Sequence, residues 1–116
     1  IFVCPSEDTD TVRAIGRRMI AAYLNVEVYA QFHRWLGRGE QLQPMWTAWQ
    51  AGDRKGALAE SRDEVVDALI VHGSGAACRA HRQRYVDTGV PIPVIGLIPF
   101  GVDLAAAVES LAPRRA

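Results

Sequence analysis

Three histidines, two cysteines and a run of aromatic side chains are the residues of this chain with chemistry to offer. His33, His72 and His81 share no metal-ligand spacing such as His-x-x-x-His, so the sequence predicts no metal site. His33 is the one candidate for catalysis, because it sits next to an aromatic stripe formed by Val28, Tyr29, Phe32, Trp35 and Leu36. His72 falls at an expected helix end, where a cation suits the dipole. Cys4 and Cys78 read as small buried hydrophobes. Cys4 has no His or Lys neighbour in sequence to lower its pKa, which argues against a nucleophile. Trp46 and Trp49, three apart, read as core or interface packing. There is no Walker motif, no G-x-G-x-x-G, no C-x-x-C and no G-x-S-x-G, so no phosphate-cradling loop, redox dithiol or nucleophile elbow is predicted.

These side chains must be positioned by a small body. The chain has 116 residues and 12.7 kDa, one domain at most. Thirteen basic and thirteen acidic residues cancel, which argues against a nucleic-acid binder or a protein held on anionic lipid. Hydrophobic residues make up 49% and charged ones 22%, as in a globular chain. Apolar runs stay well below the ~18 residues that span a bilayer. No secretory leader is visible, and two cysteines suit reduced thiols in a cytoplasmic protein. The chain opens on Ile1, inside an apolar run, which reads as a piece of a longer protein.

Ile1–Cys4 is expected to be a short strand buried on both faces and ended by Pro5. Val12, Ile15, Met19, Ile20 and Tyr23 recur at helical spacing, predicting a helix over 9–24 behind a polar start. Asn25 is expected to cap a second helix, closed by Gly37, whose aromatic stripe at this spacing ordinarily packs into a core. Arg38–Gln43 reads as a connection, and Pro44 as the first turn of a short helix. Asp53 caps 54–60, and Ser61 to Glu64 has capping-box spacing for a helix that Gly73 ends. Ser74 caps 75–88, Val94–Ile98 is a second strand, and a last helix runs over 102–112 with Leu104, Val108 and Leu111 inward. Arg114, Arg115 and Ala116 read as a frayed tail. Helix should exceed half the chain, with about a tenth in strand.

The reading is a predominantly helical α/β protein with two strands and five to six helices. Two apolar strands separated by helices must pair in parallel or join a larger parallel sheet. The stretch from Ser74 to Ile98, a capped helix, a glycine stop and a strand, is the αβ half of a repeat in such a sheet.

Tyr23-Leu24-Asn25-Val26-Glu27-Val28-Tyr29-Ala30-Gln31-Phe32-His33-Arg34-Trp35-Leu36-Gly37 resembles a stretch in the bacterial-luciferase-like monooxygenase family. Val71-His72-Gly73-Ser74, Cys78-Arg79 and Tyr85-Val86-Asp87-Thr88-Gly89-Val90 resemble the helix that leads into that family's last barrel strand. The resemblance covers nearly the whole chain, and its first stretch is the more specific. Gly75 departs from it, since relatives usually have Pro there.

The resemblance implies the C-terminal part of a (β/α)8 barrel, incomplete on its own, because a whole barrel needs ~250 residues. Ile1–Cys4 would be the seventh strand, 94–98 the eighth, and 9–72 a helical insertion. It implies FMN or the deazaflavin F420 as cofactor of the full-length parent, a small-molecule substrate, and a pocket lined by Ser6, Phe100 and Gly101 at strand ends and by Tyr23, Tyr29 and Phe32 in the insertion. Read without the resemblance, Ser6 caps a helix and Phe100-Gly101 covers a loop. The segment alone is expected to be inactive and to assemble with the rest of the barrel or as a homo-oligomer. The rival reading is a free-standing helical interaction module, oligomeric through its aromatic helices and without catalysis.

Overall fold

A computed structural model describes residues 1–114; Arg115 and Ala116, read above as part of a frayed tail, lie outside the described residues. The chain is a mostly helical α/β protein, 63% helix, with seven helices and one three-stranded parallel sheet among the described residues. The described residues divide into two compact units, one formed by 1–13 and 67–114 and the other by 14–66.

The first unit holds the sheet. β1 (Phe2–Cys4) is central, flanked by β2 (Ile70–His72) and β3 (Gly96–Leu97) in the order β2-β1-β3. Phe2 pairs with Ile70 on one side and Gly96 on the other. The register explains the residue choice. Gly96 carries no side chain where a Cβ would come within 3.0 Å of the Phe2 ring, so the phenyl group lies across the glycine. Val3, Val71, Cys78 and Leu111 form the core on the other side, with Ile1, Ile95 and Leu97 packed against it. β2 was not expected. Ile70–His72 reads as the end of a helix stopped by Gly73, but the helix ends at Leu69 and three residues extend alongside β1. β3 keeps two residues of the expected 94–98.

α6 (Gly75–Asp87) and α7 (Leu104–Leu111) cover this sheet's core. Ser74 accepts a hydrogen bond from the Ala77 amide and Asp103 from that of Ala106, so each helix starts on its own cap. α7 turns Ala107 and Leu111 inward, whereas Leu104 and Val108 are more than half exposed, which corrects the expected inward trio. A methyl group at Gly75 would come within 2.8 Å of the Ser110 Cβ. Gly75 is required by packing: α6 and α7 approach too closely here for a side chain. Gly75→Ala is expected to cost about 1–3 kcal/mol from overpacking. Urea unfolding checks this, with Ser110→Gly restoring much of the loss.

The second unit is helical. α1 (Thr9–Leu24) enters it and α5 (Asp63–Leu69) leaves it; between them lie α2 (Glu27–Trp35), α3 (Gly39–Gln50) and α4 (Arg54–Glu60). α3 packs on α4 and α2 on α3. Leu24, Leu42, Met45, Trp46, Ala57 and Val66 are buried to 2% exposure or less. The Trp46 indole N–H donates to the Leu24 carbonyl at 2.8 Å, using one of the carbonyls left open at the α1 C-terminus.

Several local expectations are overturned. Asn25 does not cap α2; its amide turns back to the Ala21 carbonyl, and Val26 stands at the cap without a side-chain bond. The polar stretch from Arg38 is no connection, because α3 starts at Gly39 and holds Pro44 within it. That proline forfeits a single backbone bond, towards Glu40, and Leu42 and Met45 anchor the same helix in the core. Ser61 forms no capping box; its buried hydroxyl donates to the Ala57 carbonyl and closes α4.

Candidate functional site at the carboxyl edge of the sheet

In an open parallel sheet, ligands sit outside the carboxyl ends of the strands, where chain connections diverge. Here the chain leaves β1, returns on one flank as β2, then crosses to the other flank as β3. The divergence lies between β1 and β3. Three loops gather at that edge: Pro5–Glu7 after β1, Gly73–Ser74 after β2, and Ile98–Asp103 after β3. The Gly73 amide donates to the Ser6 carbonyl at 3.0 Å, and the Cys4 thiol lies 3.8 Å from the Phe100 carbonyl, so the β1 loop is tied to both neighbours. A crevice of about 330 Å³ opens among Pro5, Glu7, Ser74, Gly75, Val102 and Asp103.

Ser6, Phe100 and Gly101 lie in these loops. The Ser6 hydroxyl accepts from the Asp8 amide at 3.2 Å and shapes the turn into α1. Asp8 caps α1, and hydrogen bonds from Thr11 hold its carboxyl below the usual range. Phe100 is more than half exposed, and Gly101 takes φ +70°, which favours glycine. Tyr23, Tyr29, Phe32 and His33 belong to the helical unit. Tyr23 and Tyr29 stack with ring centroids 4.1 Å apart, and the hydrogen bond of the Tyr23 hydroxyl to Tyr29 favours its protonated form and pushes its pKa up. Phe32 meets His33 edge-on.

His33 is buried, and its Nδ1 lies 3.1 Å from the Arg38 guanidinium, which can only donate. Burial first, and then the Arg38 charge, push its pKa down. This is a neutral core imidazole with one nitrogen committed. The core thiols Cys4 and Cys78 are pushed up by burial and are poor nucleophiles.

One cluster escaped the sequence reading. Asp67 accepts from Arg13 at 3.2 and 2.7 Å and lies 2.8 Å from His72 Nε2, at the end of β2. The bond from Arg13 is the largest influence lowering the Asp67 pKa. The i, i+5 spacing of Asp67 and His72 points to nothing in a helix; it becomes a pair only because the chain changes from helix to strand at Ile70.

The titrations predict stepwise loss of stability with acid. His33 and His81 have folded pKa values below their ordinary 6.5, so their contribution is complete above that pH and falls as pH drops towards the folded values. Asp67 has a folded value below its ordinary 3.8; its contribution is complete above that pH and is lost as pH falls through the folded value. Urea midpoints measured from about pH 8 to pH 3 should show both steps. His33→Gln should reduce the first step to the part that His81 contributes, and Asp67→Asn should flatten the second.

The crevice does not suit the phosphate of FMN or F420. Its charged lining is Glu7 and Asp103, none of its described lining residues is basic, and both adjoining helix N-termini are capped by their own side chains. No group of described residues has the makings of a metal site, and no described helix is long and apolar enough to cross a membrane. No protein-family model, no curated protein and no solved structure matches this chain.

Proposed function

We propose that the chain is the closing segment of a luciferase-like, flavin- or F420-dependent oxidoreductase barrel and contributes strand pairing and part of a substrate pocket. The observation that carries this reading is the direct parallel pairing of β1 with β3 across a long helical insertion, as between a seventh and an eighth barrel strand. β2 occupies the other flank of β1, which in a complete barrel belongs to the preceding strand, so the reading requires β2 to yield that place. Phe100 and Gly101 would face the substrate beside Ser6 at the barrel mouth. In such a parent the bound cofactor supplies hydride transfer or oxygen activation. With an acidic crevice and capped helices, this segment provides no seat for the cofactor's phosphate, and it is inactive alone. The free thiols Cys4 and Cys78 suit a cytoplasmic setting.

Complementation tests the proposal. The chain is mixed with a luciferase-like barrel lacking its last two strands, and F420 and FMN fluorescence is titrated. Cofactor binding only in the mixture supports the reading; no association between the two pieces overturns it. A second reading, a helical interaction module, is favoured by the aromatic face of α2, where Trp35 is 79% and Phe32 51% exposed.

A further inference from the structure

α2 carries its apolar residues outwards. The buried positions are Ala30 and His33, while Val28, Tyr29, Phe32, Trp35 and Leu36 are exposed. The stripe that sequence alone assigns to a core is thus a surface. Val28, Phe32 and Trp35 repeat at i, i+4, i+7 and form its crest. One flank carries Glu27 and Arg34, the other Tyr29 and Leu36, and Tyr23 extends the second flank by stacking on Tyr29. With aromatic side chains of 150–250 Å², the exposed apolar area is roughly 500 Å², at the upper end of what a monomer shows. A standard interface takes about 800 Å² per partner, which this face approaches once its polar flank is included.

We propose that this face of α2 docks on the same face of a second copy of the chain, with the two helices antiparallel about a two-fold axis near Phe32. The charge order selects this arrangement. In a two-fold antiparallel pair each flank meets itself reversed, so Glu27 faces Arg34 of the second copy and Arg34 faces its Glu27. A parallel two-fold pair would instead set the Glu27 and Arg34 flank of each copy against the Tyr29 and Leu36 flank of the other, leaving both charges facing apolar side chains with no opposite charge. The same axis sets Val28 against Trp35, so small meets large along the crest, and Tyr29 against Leu36 on the other flank. Within one chain Glu27 lies 3.4 Å from Arg34, whose guanidinium also sits over the Trp46 ring; with side chains 72% and 41% exposed, both charges stand at the rim of the face. The inference concerns a face of the helical unit and stands independently of the cofactor reading.

Sedimentation velocity over a concentration series of the whole chain tests it. The chain should pass from monomer to dimer with rising concentration, and Trp35→Glu should weaken the association at least tenfold. Glu27→Arg and Arg34→Glu should each weaken it alone, and an equimolar mixture of the two should associate again, since each then meets its opposite charge. Circular dichroism melting verifies that the variants fold, and Val28→Lys gives a second crest variant should Trp35→Glu not fold. A wild-type chain that stays monomeric throughout, or single charge variants that fail to recover on mixing, overturns the proposal.

Discussion

Trp46→Ala is expected to cost about 3–5 kcal/mol, the range for removing a large aromatic from a packed core. That is a large share of the stability of a chain this size. Trp46 is 2% exposed, lies among the buried residues of the helical unit, and has the Arg34 guanidinium 4.3 Å over its ring. Its loss empties a cavity and also leaves the Leu24 carbonyl without the indole donor. Trp46→Phe keeps most of the volume and loses the hydrogen bond, so it should cost less than half as much. Urea unfolding followed by far-ultraviolet circular dichroism gives both values; equal losses would show that the hydrogen bond, not the volume, dominates.

Val3→Asp is the second large effect. Val3 is 1% exposed and sits at the centre of the middle strand, paired with Val71 on one side and Leu97 on the other. A carboxylate there has no basic residue in the surrounding cluster of Val71, Cys78 and Leu111, so it must be buried uncharged or break the sheet. The expected outcome is loss of the parallel sheet, seen as exchange of the Gly96 and Ile98 amides, which donate to the Ile1 and Val3 carbonyls in the native chain. The conservative Val3→Ile should retain those protected amides.

The two variants probe parts of the fold that differed in how plainly the sequence announced them. α1 and α4 follow from local signals and fall at the expected residues, 9–24 and 54–60. α6 begins behind Ser74 as its cap requires. β2 was hidden because Val65, Val66, Leu69 and Ile70 keep helical spacing, and a three-residue strand has no period of its own. Its extended form is imposed by β1, a partner far away in sequence. α2 misled in the opposite way. Its stripe is genuine, but burial went to Ala30 and His33, whose side of the helix the rest of the unit covers. Of the candidate site, Ser6, Phe100 and Gly101 were legible as strand-end residues. The Arg13–Asp67–His72 cluster was not, since it assembles only after the chain has turned from helix to strand at Ile70.

The central place of β1 also sets the order in which the chain can fold. Residues 14–66 form a continuous unit whose contacts close over short loops, so they can form as soon as they leave the ribosome. Phe2–Cys4 must wait for Ile70–His72 on one side and Gly96–Leu97 on the other. Until residues 70–97 have been synthesised, Phe2–Cys4 lacks these two partners, and its amides and carbonyls are open to any other extended segment. A chaperone that shields extended apolar segments during synthesis would find a target in Phe2–Cys4.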